Sequence, residues 1–83
     1  MSEVTIRYWA AAKDAAGVPE ETVAAATLGE ALKVAVANRA SDDRLRNVLK
    51  RSSFLVNGTR IKAEETPLAD GAVLEILPPF AGG

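Results

Sequence analysis

One stretch limits the possible architectures more than any other: "TLGEALKVAVA", residues 27–37. Thr27 and Glu30 have the capping-box spacing, in which a hydroxyl accepts from the third backbone N–H and the glutamate reaches back to the start of the helix. Leu28, Ala31, Leu32, Ala35 and Val36 then recur at helical spacing and form one apolar stripe. A chain of 83 residues holds one modest core. A single main helix therefore needs an apolar surface made by other segments, and those segments read as strands.

"EVTIRYW" alternates, with Val4, Ile6 and Tyr8 on one face and Thr5, Arg7 and Trp9 on the other. "AAAKDAAGVP" suits a short helical turn closed by Gly17, and "EETVAAA" a second strand. "SDDRLRNVLKR" reads as a second, shorter helix with Ser41 as N-cap, acids at its positive end and bases toward the other. In "FLVNGTRI", Asn57-Gly58 fits a type I′ hairpin turn, and "LADGAVLEILPPF" carries an Asp70-Gly71 turn before a closing strand, Val73 to Leu77. The order predicts an α+β domain with a mixed sheet of four to five strands packed on one main helix. The first and last strands lie side by side in such a sheet, so the last strand is central and the chain leaves from its end.

Composition removes several function classes. There is no cysteine and no histidine, which excludes a disulfide framework, a thiol nucleophile and the commonest general base. A net charge of −1 gives no general attraction to nucleic acid or anionic lipid. The N-terminus has neither a signal-peptide pattern nor a long apolar run, so the expectation is a cytoplasmic protein with no membrane partner.

The residues after the last strand, "PPFAGG", contribute little to packing. Pro78 and Pro79 fix two φ angles and favour an extended exit. Residues 78–83 span roughly 20 Å when extended. Gly82 and Gly83 have no Cβ and pass where any side chain would clash. The carboxylate beyond them is ionised at neutral pH and reacts only after an oxygen becomes a leaving group, as adenylation would achieve. The chain has no phosphate-binding glycine loop, so ATP chemistry falls to a partner.

The segments "IRYWAAAKDAAG", "TLGEAL", "FLVNG", "PLADGAVLEILPP" and the final "AGG" together resemble the ubiquitin-like sulfur carriers of the MoaD/ThiS type, and most of all the small subunit of molybdopterin synthase. The resemblance covers essentially the whole chain. It implies a β-grasp (ubiquitin-like) domain over residues 1–77 and a flexible Gly-Gly tail over 78–83. It also implies a chain that is not an enzyme on its own and binds no cofactor. A partner E1-like, MoeB-like adenylyltransferase and sulfurtransferase would use ATP and Mg to adenylate Gly83, and a sulfur donor would convert it to a thiocarboxylate. The tail would enter the MoaE-like large synthase subunit in a hetero-tetramer and give its sulfur to a pyranopterin precursor of the molybdenum cofactor. By position, Gly82 threads with Gly83, Phe80 and Ala81 line the tunnel entrance, and Pro78 and Pro79 set the exit angle. A carrier for thiamine, cysteine or a specialised thio-metabolite shares such a tail, as does a ubiquitin-like protein modifier. An adaptor using only its surface is a further, non-chemical alternative.

Three features stand apart from the tail. Arg44, Arg46, Lys50, Arg51, Arg60 and Lys62 run without an intervening acid. They read as a solvated face and hairpin edge, with a docking surface for an acidic partner as the alternative. Trp9 is either a partner contact or a cap on the far side of the core. The adjacent acids Glu20-Glu21, Asp42-Asp43 and Glu64-Glu65 suggest no paired-carboxylate site.

Overall fold

The computed structural model describes residues 2–39 and 43–79. In chain order the elements are β1 (Ser2–Tyr8), α1 (Ala10–Ala16), β2 (Glu20–Ala25), α2 (Leu28–Ala37), α3 (Arg44–Leu49), β3 (Ser53–Val56), β4 (Thr59–Ile61) and β5 (Val73–Leu77). They form one five-stranded sheet of order β2-β1-β5-β3-β4. β1 and β5 are parallel and every other pair is antiparallel, so the sheet is mixed, with β5 at its centre.

The alternation of β1 does what its pattern predicts. Val4, Ile6 and Tyr8 are buried on the helical side, where they meet Leu74 and Ile76 of β5. Leu28, Ala31 and Ala35 of α2 and Leu45 and Leu49 of α3 close the same core. The alanine-rich segment is a complete helix, α1, with Ala12 and Ala16 buried and Gly17 as its left-handed C-cap. Small side chains let this helix lie close to the core it covers.

The capping box of α2 forms with one displacement. Glu30 N–H donates to Thr27 Oγ1 at 3.2 Å, but the Glu30 carboxylate accepts from the Ala26 N–H, one residue before the cap, at 2.8 Å. The first two amides of α2 are satisfied from elsewhere: Leu28 N–H donates to Thr66 O and Gly29 N–H to Glu64 O. A Cβ at Gly29 would come within 3.2 Å of the Glu64 Cβ, so glycine admits this close approach. α3 starts later than Ser41 suggests: its N-cap is Asp43, which makes no side-chain cap bond and instead lies 3.7 Å from Arg46. Ser41 and Asp42 lie outside the described residues. The Asn57-Gly58 hairpin turn has φ of 49° and 87°, as a type I′ turn requires.

Candidate functional site

β5 carries the chain toward its last residues from the middle of the sheet. Its parallel neighbour β1 ends at the same edge, with Tyr8 opposite Ile76 and the Trp9 N–H donating to Ile76 O at 3.2 Å. On the other side Ser53 of β3 is paired with Leu77. Pro78, half-buried, and Pro79, exposed, follow Leu77 at this end of β5. Phe80, Ala81, Gly82 and Gly83 lie outside the described residues.

The sheet face opposite the helices accompanies this exit. A transverse row crosses it at one level: Glu20, Arg7, Glu75, Leu55 and Arg60, each in register with the next. Arg7 and Glu20 form an exposed ion pair at 3.4 Å. Val73 and Leu77 share the face with Glu75 by the two-residue period of a strand, and all three are half-buried. No residue of this row is buried, so the surface around the exit is an open sheet with apolar positions between charges.

Trp9 borders the exit. It is not a face residue of β1 but the N-cap position of α1, and at 47% exposure it is the most exposed of the large hydrophobic side chains among the described residues. The following residue, Ala10, has φ of 48°, in the left-handed region that a non-glycine residue occupies at a cost. The strand-to-helix turn thus holds the indole outward beside the end of β5.

Behind the exit is a polar cluster that composition and local pattern do not announce. The Tyr8 hydroxyl donates to Glu21 Oε2, and Arg39 Nη1 donates to the same oxygen at 2.8 Å. Arg39 also donates to Ala35 O and, through Nε, to Ala16 O at 2.7 Å, and its guanidinium lies 5.5 Å from the Tyr8 ring centre. One side chain therefore ties α1, α2, β1 and β2 together. Burial and the Glu21 carboxylate push the Tyr8 hydroxyl above its ordinary range. Burial alone would raise the Glu21 carboxyl, but the bonds from Arg39 and Tyr8 outweigh it and hold the group below 4.5. This cluster is fully paired and braces the residue before Trp9; it has no open position for a substrate.

Among the described residues no cluster of acids could hold a metal ion, and no helix is long and apolar enough to cross a membrane. The adjacent acids divide as a strand requires: Glu20 lies on the open face and Glu21 on the helical face.

A mixed sheet of this order, with one long helix packed on it and the chain leaving from its central strand, defines a ubiquitin-like β-grasp protein. The ThiS family profile matches residues 6–83, and the chain belongs to that family. No curated protein sequence gives a match. Among solved structures, small archaeal modifier protein 1 from Methanosarcina acetivorans superposes with a TM-score of 0.84 at 25% identity, over 100% of this chain and 98% of that one. Its Haloferax volcanii counterpart gives 0.80 at 25%, covering 99% and 100%. A chain of the complex of subunits 1 and 2 of the molybdopterin-converting factor from Helicobacter pylori gives 0.70 at 27%, covering 98% and 99%. The chain is thus similar both to a subunit of a molybdopterin-converting factor and to small archaeal modifier proteins.

Proposed function

We propose that this protein is a sulfur carrier, the small subunit of a molybdopterin synthase, and that its working group is the carboxylate of Gly83. The observation that supports this most is the position of β5: the central strand delivers Pro78 and Pro79 to the sheet edge, with the Gly-Gly end a few residues beyond. The family match extends through residue 83.

The chemistry follows from the groups available. A partner adenylating enzyme transfers AMP from ATP to the Gly83 carboxylate and releases pyrophosphate, with Mg held by that enzyme. A sulfur nucleophile from a donor protein attacks the acyl carbon. The C–O bond to AMP breaks and AMP leaves as the donor's persulfide forms an acyl disulfide. A second thiol of the partner machinery then attacks the donor sulfur, forming a disulfide there and releasing the thiocarboxylate. The tail then enters a large-subunit partner, where the thiocarboxylate sulfur bonds to a carbon of a pyranopterin precursor. Water cleaves the resulting thioester, leaving sulfur on the precursor and returning the carboxylate. Gly82 and Gly83 thread, Phe80 and Ala81 occupy the entrance, and the open sheet face beside Trp9 carries the contact surface. In this reading the chain is a co-substrate with no catalysis of its own.

The test is intact mass after incubation with ATP, an E1-like enzyme and a sulfur source, for the full chain and a Gly83 deletion. Exchange of one oxygen for sulfur in the full chain alone is the expected result. No exchange with an enzyme active on another carrier would sink the proposal.

The likeness to small archaeal modifier protein 1 supports a second reading, in which a lysine amine attacks the adenylated carbon and forms an amide. Both readings share the activation step. Gly83-linked peptides on other proteins, found by mass spectrometry in an extract supplied with ATP, would favour the modifier.

A further inference from the structure

The basic segment from Arg44 to Lys62 does not remain a plain solvated face once folded. Between α2, α3 and β3 lies an open recess of about 590 Å³, on the helical side of the molecule and away from the open sheet face. Its floor is apolar, made by Leu28, Leu32 and Val36 of α2 with Leu49 of α3 and Phe54 of β3. Leu28 and Leu49 are buried, whereas Leu32, Val36 and Phe54 are half-buried and present apolar surface to the recess.

The rim is cationic. Lys33 comes from α2, Arg46 and Lys50 from α3 and its end, and Lys62 from the segment after β4; Glu64 is the one acid among them. Arg46 is weakly paired with Asp43 at 3.7 Å, while the side chains of Lys33, Lys50 and Lys62 have no ion-pair or hydrogen-bond partner among the described residues. This surplus sits on a chain whose net charge is −1. The wall bearing Lys62 and Glu64 is held in place, because Glu64 O and Thr66 O accept the first two amides of α2.

Shape indicates the kind of occupant. Leu28, Leu32 and Val36 follow one another at four-residue spacing and form a ridge about 12 Å long at 1.5 Å per residue. A trough of that length, apolar along its floor and positive on both banks, matches a short amphipathic helix whose apolar residues recur at i, i+4 and i+7 and whose flanks are acidic. We infer that this recess is a docking groove for an acidic amphipathic helix of a partner protein. The inference stands independently of the chemistry of the tail. Since the groove and the open sheet face lie on opposite sides of the sheet, such a helix leaves the exit of β5 uncovered.

The probe is a synthetic helix of about four turns with leucines at i, i+4 and i+7 flanked by glutamates. Its isomer with lysines in place of glutamates is the control, and binding is mapped by NMR amide shifts on the full chain. The acidic peptide is expected to shift Leu32, Val36, Leu49 and Phe54 in a saturable manner, and the basic isomer to bind at least about tenfold more weakly. A Lys50→Gln, Lys62→Gln double variant loses up to about tenfold in affinity, and added salt has the same direction of effect. Leu32→Gln weakens binding while the amide spectrum elsewhere stays that of the folded chain.

Equal binding of the two peptides, shifts centred on the open sheet face, or no saturable shift would each overturn the assignment. So would a change in the groove amides on deleting Phe80 to Gly83, which would make the chain's own end the occupant. Groove shifts that grow with protein concentration in the absence of peptide would instead assign the groove to a second copy.

Discussion

The two flanks of β5 are built differently. On one side β1 and β2 are seven and six residues long, and Val4, Ile6, Val23 and Ala25 are buried in the core. That flank ends in the Tyr8, Glu21 and Arg39 cluster, where every charge has a partner. On the other side β3 and β4 are four and three residues long, no residue of either strand is fully buried, and the adjoining rim carries lysines whose side chains have no partner among the described residues. The first flank concentrates stability behind the exit of the chain, and the second leaves surface for contact. The proposed function, in which a tail is presented and the domain is recognised by a partner, would use both.

The sharpest way to break this comparison is to truncate one core residue on each flank. Ile6→Ala removes a fully buried side chain between β5 and β2 and is expected to cost about 2–5 kcal/mol in urea unfolding. Phe54→Ala removes more atoms, yet part of that ring is already wet, and about 1–2 kcal/mol is expected. Equal costs would show that the flanks do not differ in stability.

Arg39→Met tests the polar end of the stiff flank. Arg39 and Glu21 side chains are only 14% and 20% exposed, so removing the cation leaves a carboxylate poorly solvated beside Tyr8. A loss of about 1–3 kcal/mol at neutral pH is expected. The pH dependence gives a second readout. The folded carboxyl of Glu21 is held below 4.5, so its contribution is present above that pH and is lost as pH falls through the folded value. Tyr8 is shifted upward, so its contribution is present below 10.0 and declines as pH rises beyond it. The wild-type chain should lose stability at both edges, and Arg39→Met should flatten the acid edge.

Period-two and period-3.6 patterns placed β1, α2, the Asn57-Gly58 hairpin and β5 in the sequence, because each element there carries its own local signal. That β1 and β5 lie side by side followed from element order, whereas their parallel direction is seen only in the fold. The start of α3 was less legible: Ser41 is the better capping residue in isolation, but the helix takes Asp43, whose side chain makes no cap bond. The polar cluster was missed because its members are 13 and 18 residues apart. One local clue existed. Glu21 has the strand parity of Val23 and Ala25, and an acid on the inward face demands a cation. The groove was half visible as a basic run, but Lys33 and the apolar floor join it only through tertiary packing. The tail was the reverse case, where residue type and order carried the chemical reading with no packing to consult.

A smaller effect separates turn chemistry from packing on the looser flank. Gly58 has φ of 87° with nothing within 4 Å of where a Cβ would stand, so Gly58→Ala introduces backbone strain without a clash. The expected loss is about 1 kcal/mol. A much larger loss would mean that the β3–β4 hairpin supports the whole sheet.

The smallest expected effect is the most informative about the groove. Lys50→Gln with Lys62→Gln removes two cations that make no ion pair among the described residues, from exposed positions around an apolar floor. If these lysines served the fold, their loss would register in unfolding. If they are held for a partner, stability should change by less than about 0.5 kcal/mol, or rise slightly because crowding with Lys33 and Arg46 is relieved. Thermal unfolding at low and high salt distinguishes the two, since relief of like-charge repulsion fades as salt is added. A destabilisation beyond that limit at both salt concentrations would return these lysines to the fold and remove the contrast between the flanks.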